Sequence, residues 1–321
     1  MAKDYITWIH HPIGAGPFKI IKKDEKNRSV TLKRLIHQQN SANLIEFDSN
    51  EIPPQDLNIQ AFSDTNPLPG KLDEVIYDSE ILGFSGLFFN YKNTLANNLS
   101  FRKALSHAIN REELSKLSKN FSPLSEILTT HMGRINQTKQ FSLELAKKEI
   151  SSIKNYNWSV PIQAVICKLP LPGSIEDKYV KKVIDQIESI GLNVKLKEDC
   201  NLTFDPNDKT SLFRFDDRGT AFKDPLVIFN AFDEGGLLSG FFPKNNSTFQ
   251  ILLNRSRRAG NIDQRVSSLR DLSKYFFDND LVIPVVSRKL LYWVDKRRIK
   301  NIGQQQSITF DLSRIMLNEP G

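Results

Sequence analysis

Cysteine is scarce in this 321-residue chain, which has only Cys167 and Cys200. No C-x-x-C pair and no Cys/His cluster at zinc-ligand spacing occurs, which excludes a zinc ribbon, a zinc finger or a thioredoxin-like redox motif. The default reading is two unpaired thiols. They can pair in an oxidising compartment, but spacing alone does not bring their Cα atoms within reach. Long apolar runs are lacking too. No stretch of about 18 apolar residues is present, so no membrane-spanning helix is expected. Met1 to His11 holds no apolar core of a signal peptide, and the chain as given is expected to be soluble. Nor does one charge sign dominate: 44 basic residues stand against 37 acidic ones, for a net charge of +7. The densest basic runs, Lys181-Lys182, Arg255 to Arg258 and Lys296 to Arg298, are short and carry no interleaved aromatics. They read as solvated faces, and no nucleic-acid partner is indicated.

Catalytic motifs are equally wanting. Gly14 to Phe18 offers a G-x-G, but Pro17 and a strand pattern follow it. A phosphate loop needs a strand before it and a helix after it. Gly83 to Leu87 is out of register for the G-x-S-x-G elbow of a nucleophilic serine. The five histidines, His10, His11, His37, His107 and His131, form no paired-ligand spacing, so no metal site is expected. Asp216, Asp217 and Asp224 carry the charge for acid–base work, yet nothing in the sequence completes a site around them. The expectation is a chain that is not an enzyme and carries no cofactor.

What is present is enough for a folded protein. With 39% hydrophobic and 25% charged residues, the chain can bury a core across two domains or one discontinuous one. Phe is abundant, at 21 against 7 Tyr and 3 Trp, which suits cores and apolar clefts. Pro17 to Leu35 alternates like a β-hairpin, whereas Gln38 to Gly70 is polar and reads as loops. Leu82 to Asn90 reads as a buried strand. Phe101, Ala104, Leu105, Ala108 and Ile109 recur at helical spacing after Ser100, a candidate N-cap, with Leu114 and Leu117 extending the stripe. A shorter helix starts near Ser142. The clearest unit is strand–helix–strand: Val160 to Leu169, a helix capped by Ser174 and stopped by Gly191, then Leu192 to Asp199. Such a unit predicts parallel strands with a right-handed crossover. Asp263 to Asp278 is a further amphipathic helix, and Leu281 to Asp295 reads as strand broken at Pro284.

Several of these segments, in order, resemble the family 5 extracellular solute-binding proteins, the oligopeptide-, dipeptide- and nickel-type receptors of ABC importers. The resemblance rests on His11 to Leu35 and most specifically on Leu87 to Leu114. The latter has a strand ending in Asn90, a polar loop, Phe101-Arg102-Lys103-Ala104-Leu105 and Ala108-Ile109-Asn110-Arg111-Glu112. It continues through the strand–helix–strand unit, Lys223-Asp224-Pro225 and Asp263 to Val286. It implies an α/β, two-lobed periplasmic-binding-protein-like fold (type II, cluster C), here truncated. The expected division is residues 1–83 plus 287–321 as a partial domain I and 84–286 as an α/β lobe like domain III. The sequence starts where a family member is already inside domain I. The missing strands are therefore expected to come from another chain or to leave that lobe loose.

The resemblance implies capture of a peptide-like or other small polar solute between lobes, without catalysis, in partnership with ABC transporter membrane subunits. The implied ligand-facing residues are Phe84, Gly86 and Phe88 on one crossing strand, Phe215, Arg218, Phe222 and Asp224 in a loop region, and Ser287 and Arg288 at the return crossing. Core packing is the competing reading for each Phe. Where peptide binders of the family carry a Trp and then an Asp, this chain has Arg218 and Ala221, which favours an anionic or neutral polar solute over a free ammonium. A periplasmic or cell-surface location is implied if the whole protein carries a signal, and a cytoplasmic one if the chain is the sensing domain of a transcriptional regulator. A degenerate interaction module that no longer binds solute is the further alternative.

Overall fold

The computed structural model describes residues 18–24, 29–34, 44–48, 59–61, 73–77, 83–129, 132–154, 156–201, 208–219, 224–288, 290–301 and 315–318. The chain divides into two compact units, Met1–Ser79 with Leu290–Gly321, and Glu80–Lys289.

In the first unit, β1 (Phe18–Asp24), β2 (Ser29–Arg34) and β3 (Leu44–Asp48) form an antiparallel meander, with Phe18 opposite Arg34 in the expected hairpin. β4 (Ile59–Ala61) and β5 (Asp73–Tyr77) are the outer strands of a second three-stranded sheet, whose middle strand comes from later in the chain. Two of these strands, β3 and β4, lie in the stretch read as loops. They are short and flanked by Asn and Pro, so no alternation accumulates.

The second unit is built around β6 (Gly83–Phe89), whose residues 84–89 are all buried. Such a continuous buried run marks a strand covered on both faces. The remaining elements are α1 (Leu99–Ala108), α2 (Arg111–Ser115), β7 (Phe121–Pro123), α3 (Leu143–Ser152), β8 (Ile162–Ile166), α4 (Ile175–Glu188), β9 (Val194–Glu198), β10 (Ser211–Gly219), α5 (Leu226–Asn230), α6 (Ser247–Arg257), α7 (Ile262–Asp278) and β11 (Val282–Arg288). The chain then returns to the first unit, where β12 (Leu290–Val294) inserts between β4 and β5, and β13 (Ile299–Asn301) pairs with β14 (Met316–Leu317).

The six-stranded sheet has the order β7-β11-β6-β10-β8-β9. β8 and β9 are parallel in one sheet, as the strand–helix–strand pattern predicts, and β10 is parallel to β8. β6 is antiparallel to both β10 and β11. The period of two along β6 sorts its side chains. Leu87 and Phe89 join a cluster with α1, α3 and α4 residues such as Phe101, Ala146 and Val183. Phe84 and Phe88 join a second cluster with α5, α6 and α7, including Phe229, Phe249 and Phe276. Phe88 is fully buried, edge-on to Phe241 at 5.6 Å and stacked with Phe232 at 6.5 Å.

Capping explains where the helices begin. Asn98, not Ser100, caps α1 by accepting from the Phe101 N–H at 3.2 Å. The stripe that seemed to run on to Leu117 is broken at Ile109, which is extended, and Asn110 caps a new helix. Ser174 caps α4 as expected, and Asp177 reaches back to the Gly173 N–H at 2.8 Å. Pro284 does not break β11. It sits at a register shift, where a missing N–H is tolerated. Its carbonyl accepts from buried Arg111, whose pKa burial pulls down to about 10. The two cysteines are joined as a disulfide, which corrects the reading of free thiols: β8 and β9 run in parallel and bring both cysteines to the same end.

Gly86 shows how tightly the central strands pack. A Cβ there would lie 2.4 Å from the Ile283 carbonyl oxygen. Because that neighbour is backbone and cannot rotate away, Gly86→Ala is expected to destabilise the chain by about 2 kcal/mol or more, within the usual range for overpacking. Urea unfolding checks this, and an unchanged midpoint contradicts it.

Candidate functional site

Sheet topology singles out one edge of the second unit. β10 and β11 are both antiparallel to β6, and β10 is parallel to β8 and β9. The carboxyl ends of β8, β9, β10 and β11 therefore share an edge. From β8 the chain crosses through α4 to β9, on the face that packs α4. From β10 it leaves in the other direction, through α5, α6 and α7 to β11, on the opposite face. Neighbouring strands whose connections diverge to opposite sides leave a crevice at their carboxyl ends, the usual ligand position in open α/β sheets.

Side chains at this edge form a charged network. The Arg288 guanidinium lies over the Phe121 ring, 5.0 Å from its centroid. Its Nε donates to Ser85 Oγ at 2.8 Å, and Nη1 lies 3.2 Å from Glu176 Oε1 and 3.5 Å from Asp217 Oδ2. Five elements meet there: β6, β7, β10, β11 and α4. Register explains the meeting: Asp217 stands opposite Ser85, and Arg288 opposite Phe121. Glu176 arrives from the first turn of α4, where the helix end favours an acid. Beneath them Tyr179 packs edge-on to Phe121 at 6.0 Å, its buried hydroxyl without a hydrogen-bond partner among the described residues. Burial pushes that phenol well above its ordinary range, and the Asp217 carboxylate adds to the effect.

A second charged pair lies on the other face of β10. Arg214 is buried, its Nη1 donating to the Asn201 carbonyl at 2.6 Å. Its Nε lies 3.2 Å from Asp216 Oδ2, near enough for an ion pair but not aligned as a hydrogen bond. Asp216 also accepts from the Asp217 backbone N–H at 2.9 Å, linking the two networks.

The structure redistributes the residues expected to face a solute. Phe84, Phe88 and Phe215 lie within the two apolar clusters, so they pack rather than present a face to solvent. Gly86 is explained by the approach of β11. Phe215 and Arg218 belong to β10, not to a loop; the alternation of Phe213 and Phe215 with Arg214 and Asp216 was the available signal. Position 218 pairs with Phe84, and the Arg218 side chain lies outside the described residues, as do Ala221 and Phe222. Asp224 precedes Pro225, the N-cap of α5; its carboxylate accepts from the Leu226 N–H at 2.9 Å and pairs with Arg265, so it is engaged in a local turn and an ion pair. Ser287 and Arg288 remain at the edge. Ser85, Phe121, Glu176 and Tyr179 were missed. Glu176 alone had a sequence signal, as an acid in the first turn of a helix that follows a strand. Among the described residues, no group of three His, Cys, Asp or Glu converges to hold a metal, and no helix is long and apolar enough to cross a membrane.

No protein-family model and no curated protein sequence matches the chain. Solved structures do. The substrate-binding protein CtaP of an ABC transporter from Listeria monocytogenes superposes with a TM-score of 0.78 at 17% identity, over 96% of this chain and 68% of that one. NikZ from Campylobacter jejuni, solved with Ni(L-His), gives 0.76 at 15% identity, over 97% and 69%. The periplasmic binding protein DppA from Helicobacter pylori, solved with the peptide STSA, gives 0.75 at 16% identity, over 98% and 67%. The chain thus has the α/β periplasmic-binding-protein fold of ABC-transporter substrate-binding proteins, spanning about two thirds of their length.

Half-exposed ion pairs contribute little to stability, typically below about 1 kcal/mol each. The Arg288 pairs fall in this class, with side-chain exposures of 25% for Arg288 and 59% for Asp217. A double-mutant cycle of Arg288→Gln and Asp217→Asn, read by urea unfolding, is expected to give a coupling below about 1 kcal/mol. A coupling above about 3 kcal/mol would make the network a structural lock.

Proposed function

We propose that this chain is the solute-binding part of an ABC importer. It captures a peptide-like or other small polar solute at the carboxyl edge of the six-stranded sheet and does no chemistry on it. The observation that carries this reading is the Arg288 network, which sits at the edge where α/β sheets bind ligands and is held by contacts that a solute can replace. A solute carboxylate offers the guanidinium the same charge-assisted hydrogen bonds that Glu176 and Asp217 now offer. Each carboxylate so released is free to take a donor from the solute, an ammonium included. Exchange of this kind keeps every charge paired, so binding does not strand a buried ion. Ser85 and Ser287 supply further polar contacts, and Arg218, near the end of β10, and Phe222 stay in the proposed site on the sequence resemblance.

The proposed partners are the membrane subunits of the transporter, and the proposed location is outside the cytoplasm. A disulfide between Cys167 and Cys200 supports that location, since such bonds persist in oxidising compartments. The fold supports the transport role through the proteins that share it.

Isothermal titration with short peptides, each as the free acid and as the carboxy-terminal amide, tests the reading. At least one free acid is expected to bind, and its amide to bind about tenfold or more weakly, a difference of about 1.4 kcal/mol. Equal affinity of acid and amide contradicts carboxylate recognition, and an absence of binding across peptides, amino acids and small dicarboxylates contradicts the solute-binding role.

A further inference from the structure

We propose that the Cys167–Cys200 disulfide is a thiol–disulfide exchange site that sets the state of the charge network at the carboxyl edge. Its reaction partner is a dithiol reductant. The inference deepens the reading of that edge as the working face, but its test uses no solute.

The bond does not hold the unit together. Cys167 lies one residue beyond β8 and Cys200 two beyond β9, and those strands already pair at five positions, Ile162 with Val194 through to Ile166 with Glu198. The crossover helix packs independently, with Tyr179, Val180, Val183 and Ile187 in the core. Past β9, the Asp199 N–H still bonds to the Ile166 carbonyl at 2.9 Å. Beyond it the Asn201 N–H bonds only locally, to the Asp199 carboxylate at 3.0 Å, and the cysteine bridge ties this turn to the end of β8. Both cysteines are exposed, so a reductant can reach the bond, which a core disulfide would not permit.

What the bridge positions is the Asn201 carbonyl. That oxygen accepts from the Nη1 of buried Arg214 at 2.6 Å. A buried guanidinium that loses an acceptor must find another or move, because an unsatisfied buried charge is strongly disfavoured. From Arg214 the contacts run on. Asp216 lies 3.2 Å from the Arg214 Nε and accepts from the Asp217 N–H, and the Asp217 carboxylate reaches Arg288. The bridge thus connects in three steps, through Arg214 and Asp216, to the carboxylate that pairs with Arg288.

The exchange balances without any further reactant. One thiolate of the dithiol attacks a cysteine sulfur, forming a mixed disulfide and releasing the other cysteine. The second thiolate closes on the first, so the reductant leaves as its disulfide. Two electrons pass to the bridge, and two protons end on Cys167 and Cys200.

The test compares three folded samples by hydrogen exchange: the oxidised chain, the chain reduced with dithiothreitol without denaturant, and a Cys167→Ser, Cys200→Ser double variant with no reductant. Native alkylation with iodoacetamide and mass spectrometry first establish reduction, and both cysteines are expected to be labelled. Amides of Asp199 to Asn201 and Arg214 to Asp217 are then expected to exchange about tenfold or more faster, while α4, Ile175 to Glu188, is unchanged. The double variant should reproduce the reduced pattern. A bond that resists reduction until the chain is denatured overturns the proposal. So does a loss of protection that stops at Asn201, or one that spreads over α4 and makes the bridge a general staple. Should the double variant fail to fold, the reduced native chain alone decides between these outcomes.

Discussion

Burial of β6 on both faces is the constraint on which the second unit depends. A strand with six consecutive buried residues needs a neighbouring strand on each side and a layer of helices above and below. Its own period of two then decides which helices go where: Leu87 and Phe89 call for the α1, α3 and α4 layer, and Phe84 and Phe88 for the α5, α6 and α7 layer. Gly86 is the point of closest approach, where β11 comes too near for any side chain. Burying a Phe side chain fully gives roughly 1.5–3 kcal/mol, and the Phe-rich composition supplies many such contributions in this unit.

The polar edge follows from that packing. Once β10 and β11 are locked antiparallel to β6, register delivers Asp217 to Ser85 and brings Arg288 beside both. The apolar body of the unit is closely packed, while the groups at its carboxyl edge are held by half-exposed ion pairs that are individually weak. This division suits a receptor: the positions are fixed by the core, and the contacts themselves are cheap to exchange. The buried Tyr179 hydroxyl, without a partner among the described residues, belongs to the same region and adds a polar group that packing, not pairing, holds in place.

Much of this architecture could be read from the chain before any coordinates. The strand–helix–strand unit was legible because its helix carries its own start and stop signals, Ser174 and Gly191, and its strands show an apolar run, Ala164 to Ile166, and an alternation of Val194 and Leu196 with Lys195 and Lys197. The buried strand at β6 was legible as a run of apolar and small residues with no charge in it. α6 was not, because Ile251 points outward and only Phe249 and Leu253 mark its inner face. β10 was hidden by its charges, since Arg214, Asp216 and Asp217 resemble a polar loop until their neighbours across the sheet are known. The site suffered most. A Phe on a crossing strand looks the same in sequence whether it lines a cleft or fills a core, and here Phe84, Phe88 and Phe215 fill cores. Arg288 was identified from the family resemblance, but its partners come from elements 71 to 203 residues away in sequence, a separation that no local pattern encodes.

The most direct measurement is a crystal structure of the chain grown with a free-acid peptide that it binds. The predicted result is a solute carboxylate within hydrogen-bond distance of the Arg288 guanidinium, with Glu176 or Asp217 displaced from it. Solute bound elsewhere, with both Arg288 ion pairs intact, would contradict the proposed site.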